Sequence, residues 1–178
     1  MPAIITEGAM SAKGFGFGAS SAGAAAYIED VFSTYLYTGT GSALTITNGI
    51  DLSTKGGLVW VKDRSASNNH KITDTSRGAT KAIISNSNAG QTTDANGLTS
   101  FATTGFSLGT DAVYNTSADQ YVSWTFRKQT KFFDIVTYTG TGANRTIAHN
   151  LGSTPGCVIV KRTDASADWR VYHSGLTS

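Results

Sequence analysis

From Phe32 onward, hydrophobic residues come in short runs separated by clusters of turn formers. The runs are Thr34–Tyr37, Leu44–Thr47, Gly57–Lys62, His70–Thr73, Ala82–Ser85, Leu98–Phe101, Phe106–Leu108 and Tyr121–Arg127. Between them lie Thr38-Gly39-Thr40-Gly41, Asn48-Gly49, Lys55-Gly56, Ser67-Asn68-Asn69, Asn86-Ser87-Asn88-Ala89-Gly90, Asn96-Gly97 and Thr104-Gly105. Short β-rich runs punctuated this densely predict an all-β fold, an antiparallel β-sandwich or jelly-roll-like unit. Gly57–Lys62 is apolar on both faces at its centre, as a central strand requires. In Tyr121–Arg127, Val122, Trp124 and Phe126 share one face, while Tyr121, Ser123, Thr125 and Arg127 share the other. Trp60 and Trp124 lie in the most apolar strands and are expected in the core.

An internal repeat divides this region. Tyr37-Thr38-Gly39-Thr40-Gly41 recurs as Tyr138-Thr139-Gly140-Thr141-Gly142, and Thr45-Ile46 as Thr146-Ile147. Gly57-Leu58-Val59-Trp60-Val61-Lys62 recurs as Gly156-Cys157-Val158-Ile159-Val160-Lys161, after a two-residue deletion. The first copy is assigned to residues 32–129 and an incomplete second copy to residues 130–178. The second lacks counterparts of Ala82–Ser85, Phe106–Leu108 and the Trp124 strand. Half a sandwich cannot bury its own apolar face. The expectation is a chain that continues in a longer protein; the alternatives are completion by a neighbouring subunit or packing on the first copy.

Residues 1–31 differ from both copies. They run through Gly14-Phe15-Gly16-Phe17-Gly18 and an Ala/Ser/Gly tract, a composition too poor in burial to fold alone. Ile4, Ile5, Met10, Phe15 and Phe17 are its apolar positions and are assigned as anchors of an extended docking arm.

Composition narrows the function classes. Thr, Ser and Gly supply 65 of the 178 residues, charged residues only 15%, and the formal net charge is +2. That charge is too low and too balanced for a protein that reads nucleic acid through its phosphates. No apolar run reaches the roughly 20 residues of a membrane-spanning helix. Cys157 is the only cysteine, so neither an intrachain disulfide nor a cysteine-based metal site is available within one chain.

Several motifs occur in a fixed order: Tyr37-Thr38-Gly39, Gly56-Gly57-Leu58-Val59-Trp60-Val61-Lys62, Asp74-Thr75-Ser76-Arg77-Gly78-Ala79-Thr80-Lys81, Thr104-Gly105-Phe106-Ser107-Leu108-Gly109, and Tyr121-Val122-Ser123-Trp124-Thr125-Phe126-Arg127-Lys128 running on to Tyr138-Thr139-Gly140. In this order they resemble a repeat of virion structural, tail-fibre-like proteins of tailed bacteriophages, especially marine ones. The resemblance covers about residues 32–178. It implies a lectin-like β-sandwich, a second repeat that continues, and a glycine-rich N-terminus leading a particle protein.

The resulting expectation is a non-enzymatic virion protein, a tail fibre or adhesin. Its arm docks on a tail adaptor or capsid protein and its β units project outward. Fibre symmetry favours a homotrimer. A capsid decoration protein or head fibre is the first alternative, and a host-glycan-binding module the second. No nucleic-acid partner, membrane insertion, cofactor or metal is expected.

Candidate chemistry is thin. His70, His149 and His173 sit in no nucleophile motif. Asp63, Asp74, Asp94, Asp111 and Asp119 are turn-type aspartates without a calcium-loop spacing. Arg77 is read first as a brace from the turn to Asp74, with Gly78 supplying positive φ. Trp169, Arg77 and Tyr114 are the candidate glycan or partner contacts, Trp169 leading because it stands between Asp168 and Arg170.

Overall fold

The computed structural model describes residues 27–176. After a single-turn helix α1 (Ile28–Val31) come β1 (Phe32–Thr38), β2 (Leu44–Thr47), β3 (Gly57–Asp63), β4 (Lys71–Asp74), β5 (Lys81–Ile84) and β6 (Thr92–Thr93). Then follow β7 (Leu98–Ala102), β8 (Gly105–Leu108), helix α2 (Ala112–Asn115) and β9 (Gln120–Arg127). The last elements are β10 (Cys157–Val160) and β11 (Arg170–His173). The fold is all-β and antiparallel, as the turn spacing predicts. A six-stranded sheet in the order β1-β9-β3-β4-β5-β6 faces a three-stranded sheet in the order β2-β8-β7, and β10-β11 form a separate hairpin. The eight predicted runs become β1–β5 and β7–β9 with shifts of a residue or two at their ends. β6 and the two helices were not foreseen, because two to four residues carry no readable period. α1 occupies the end of the segment assigned to the arm and buries Val31.

The core lies between the two sheets. Tyr37, Tyr121, Val59 and Val61 from the larger sheet meet Ile46, Phe106, Leu98 and Leu108 from the smaller, with Ile50, Leu52 and Tyr114 from the connections. Tyr37 and Tyr121 stack at 5.0 Å between centroids. Their hydroxyls donate to the Tyr114 and Ala112 carbonyls, so the buried phenols are satisfied.

The tryptophans are not in this core. β9 turns Tyr121, Ser123 and Thr125 inward, all three fully buried. Trp124 and Phe126 therefore face outward, and because Trp60 pairs directly with Trp124, it does too. The expectation failed for a steric reason. Large residues of the opposing sheet and the stacked Tyr37 and Tyr121 already fill the interior, leaving room beyond Tyr121 only for Ser123 and Thr125, and Thr125 accepts a 2.8 Å hydrogen bond from the Asn48 amide.

The hairpin repeats the first copy to the residue. β3 pairs with β4 as Leu58↔Asp74 through Val61↔Lys71. β10 pairs with β11 as Cys157↔His173 through Val160↔Arg170, every position shifted by 99. Among the described residues, the rest of the second copy forms no strand beyond an isolated bridge between Gln129 and Phe133. Residues 133–139 correspond to β1 and 145–148 to β2, but β1 pairs only with β9, and β2 only with β8. Neither partner has a counterpart in this sequence, so only the hairpin that supplies both of its own strands forms.

Glycine is required where β3 meets β9. A Cβ on Gly57 would overlap the Phe126 carbonyl oxygen and the Leu52 side chain. Gly57→Ala is expected to lower unfolding stability by about 3 kcal/mol, read as a shift in denaturant midpoint at constant slope.

Candidate functional site

The outer face of the larger sheet is the most distinctive surface. One row crosses five strands as Thr34, Trp124, Trp60, Ile72 and Ile83. Trp60 and Trp124 are partly exposed and pack edge to face at 5.6 Å. The Trp60 indole N–H donates to His70 Nδ1 at 3.3 Å. Burial, then the neighbouring Lys62 charge, hold the His70 pKa below the ordinary imidazole value, which suits an acceptor nitrogen. Beside this row, Leu36 is exposed, while Phe126 stacks on Phe132 and packs tilted against Phe133, both from the start of the second copy. Such a surface can stack flat, apolar faces of a ligand or partner.

The junction between copies is the second feature. Loop 161–169 of the second copy clasps loop 86–91 of the first. Trp169 Nε1 donates to the Ser87 carbonyl at 2.9 Å, the Lys161 ammonium and the Ala167 amide donate to the Asn88 carbonyl, and the Gln91 amide donates to the Thr163 carbonyl. Lys161 Nζ also lies 6.0 Å over the Trp169 ring. Where the first copy runs into the second, an open groove of about 290 Å³ is lined by Lys55, Lys128, Gln129, Thr130, Phe133, Asp134 and Asn150. The junction contacts are mostly backbone carbonyls and amides, which sequence patterns do not display.

The three sequence-derived contact residues do not converge. Tyr114 is a core residue, 1% exposed, whose hydroxyl donates to Asp94. Its ring cannot meet a ligand without unfolding, which corrects that assignment. Arg77 is likewise committed: its side chain is 8% exposed, Nε donates to Asp74 Oδ2 at 2.6 Å, and the guanidinium also reaches Gln91 and the Ile72 carbonyl. Asp74 accepts from the Ser76 and Arg77 amides, and Gly78 has φ of 99°, so the brace reading describes this turn. Trp169 is partly exposed, but its indole N–H is occupied at the junction. Ile4, Ile5, Met10, Phe15 and Phe17 lie outside the described residues.

The aspartates hold local structure. Asp63 accepts from the Ser65 and Ala66 amides and the Asn68 side chain, and Asp111 caps α2 through the Val113 amide. Asp94 pairs with Lys71 at 2.7 Å at the core margin and accepts from Thr92 and Tyr114. Burial pushes its carboxyl up, but the hydrogen bonds, led by that from Lys71, outweigh this and hold its pKa below the ordinary carboxylate value. Among the described residues, no group of three or more His, Cys, Asp or Glu side chains converges as a metal site would require.

A family model described as a domain of unknown function, DUF7483, matches residues 28–178, and the chain belongs to that family. No curated protein and no solved structure matches it.

Two outcomes follow from these bonds. Asp94 has a lowered folded pKa, so its stabilisation is present above about pH 4 and lost as pH falls below that value. Melting temperatures from pH 6 down to 2.5 should show this decline, and Asp94→Asn should flatten it. Lys71→Met leaves the Asp94 charge without its partner and should cost about 2 kcal/mol. At the junction, Trp169→Phe keeps an aromatic side chain, smaller than the indole, and removes one hydrogen bond. It should speed amide exchange at Gln91 severalfold and leave the β3 and β9 amides unchanged.

Proposed function

We propose that this chain is a non-enzymatic structural protein of a bacteriophage particle, a tail fibre or adhesin built from tandem β-sandwich repeats. One observation carries the reading: two copies of the repeat keep the same strand register and are clasped by backbone bonds, an architecture suited to stacking modules along an axis. The resemblance of the ordered motifs to virion repeat proteins points the same way. The outermost residues of the proposal, Ile4, Ile5, Met10, Phe15 and Phe17, anchor the protein to a tail adaptor or capsid partner. The modules carry few charges and are Thr/Ser-rich, suited to packing as a homotrimer and to weak multivalent adhesion.

The aromatic row on the outer face favours a second reading, binding of host-surface glycan through Trp60 and Trp124. Sugar rings stack on partly exposed aromatics, and these two are partly exposed where Tyr114 is not.

A density map of the intact particle tests the main reading. Density on the tail supports a fibre or adhesin; density repeated over the head shell supports a decoration protein or head fibre instead. Absence from purified particles removes the virion reading. Deleting residues 2–26 should abolish incorporation while leaving the circular dichroism and melting of the folded part intact, and incorporation that survives the deletion rules out the docking arm.

A further inference from the structure

We infer that the free edge of β1 is a self-association surface, on which β1 of a second molecule of this chain pairs antiparallel, with Leu36 opposite Leu36. β1 belongs to the complete first copy, so the contact depends neither on the second copy nor on where the protein resides.

The edges of the sandwich are unequally guarded. An open edge offers unpaired amides and carbonyls to any other strand, and folds blunt it with short strands, bulges, prolines or charges. Among the described residues, the two facing sheets end in β1, β6, β2 and β7. β6 has two residues and β2 four, and β7 is interrupted by a register shift between Leu98 and Ser100. β1 has seven residues, Phe32-Ser33-Thr34-Tyr35-Leu36-Tyr37-Thr38, without a charge, a proline or a bulge. Its pairing with β9 is unbroken, so every second residue directs its N–H and C=O away from β9. Among the described residues, β9 is its only strand neighbour.

Leu36 marks where the second molecule docks. Within residues 32–129 it is the one large hydrophobic residue that is exposed, at 61%. It pairs with Val122 of β9, which is 7% exposed, and Val122 pairs in turn with Lys62 of β3. Set opposite its own counterpart, Leu36 extends this row to four aliphatic side chains, Val122 and Leu36 from each molecule. The same register places Thr34 opposite Thr38 and Tyr35 opposite Tyr37, threonine and aromatic pairs of the kind that stabilise sheets.

A second molecule is the occupant that this edge fits. A two-fold pairing sets a strand against its own sequence, so any charge on it would meet its like at short range. β1 carries none. Lys62, the charge on the same row, is already engaged by the Ala66 and Asn68 carbonyls at 3.0 Å each. A five-residue pairing buries far less than the roughly 800 Å² per partner of a stable interface, so the contact is weak and grows with concentration or tethering. It coexists with trimeric packing, because dihedral assemblies contain both two-fold and three-fold axes.

Cysteine cross-linking of the full chain, with Cys157→Ser in every variant, reads the register. Leu36→Cys, Thr34→Cys and Thr38→Cys are oxidised separately in a glutathione buffer, and the disulfide dimer is quantified by mass. Leu36 lies within bridging distance of its counterpart, whereas Thr34 and Thr38 each lie about 14 Å from their own. Leu36→Cys should dimerise about tenfold more than either alone, and mixing Thr34→Cys with Thr38→Cys should restore cross-linking between them. Leu36→Lys should abolish the rise in sedimentation coefficient with concentration and leave the melting temperature unchanged. Equal dimer yield at the three positions, a chain that stays monomeric up to about 1 mM, or association untouched by Leu36→Lys overturns the inference. A monomer whose β1 amides lose exchange protection when residues 2–26 are deleted also overturns it, and assigns the edge to that segment instead.

Discussion

The seam between β3 and β9 is the constraint on which the rest of the fold depends. It joins residues 57–63 to residues 121–127 and so closes a long-range loop within the larger sheet. Through it, β1 gains its only partner and the two tryptophans are set side by side. Beside it, the β1–β9 pairing sets Tyr121 opposite Tyr37, and their stacked rings and buried hydroxyls fix α2 against the core. The second copy acts as an internal control. It carries close counterparts of β1, β2 and β3, but none of β9 or β8, and keeps only the hairpin that needs neither. Local sequence alone does not make β1 a strand; the partner across the seam does.

The same seam sorts the side chains. Once β3 and β9 are in register, their alternation sends Val59, Val61, Tyr121, Ser123 and Thr125 one way and Trp60, Trp124 and Phe126 the other. The smaller sheet then decides which way is inward. It brings Phe106, Leu98, Leu108 and Ile46, bulky enough that beyond Tyr121 β9 faces the interior with the small Ser123 and Thr125. Hydrophobicity along one strand cannot reveal this, because the deciding volumes lie on a sheet distant in sequence.

Much of the strand pattern was legible because turn chemistry punctuates it: Asn48-Gly49, Lys55-Gly56 and Thr104-Gly105 mark the ends of β2, the start of β3 and the β7–β8 turn. The Arg77–Asp74 brace was legible for the same reason, since its partners are three residues apart. What failed was long-range. Tyr114 stands in a polar stretch, and its burial comes from strands that meet around it. Trp169, flanked by charges, is tied down by a carbonyl 82 residues away. The repeat was visible as words in the sequence, but its shared register required the paired strands.

These facts bear on how such a chain works. Asp63, Asp74, Asp94 and Asp111 are engaged in turns, caps and ion pairs, so each already has a structural partner. The apolar surface follows a different rule. Eight of the ten large hydrophobic residues exposed among the described positions belong to the second copy, from Phe132 to Leu176. Their counterparts Val31, Tyr37, Val59, Ile72 and Thr73 are buried in the first copy, so this surface marks a repeat without its β8 and β9 strands rather than a ligand pocket.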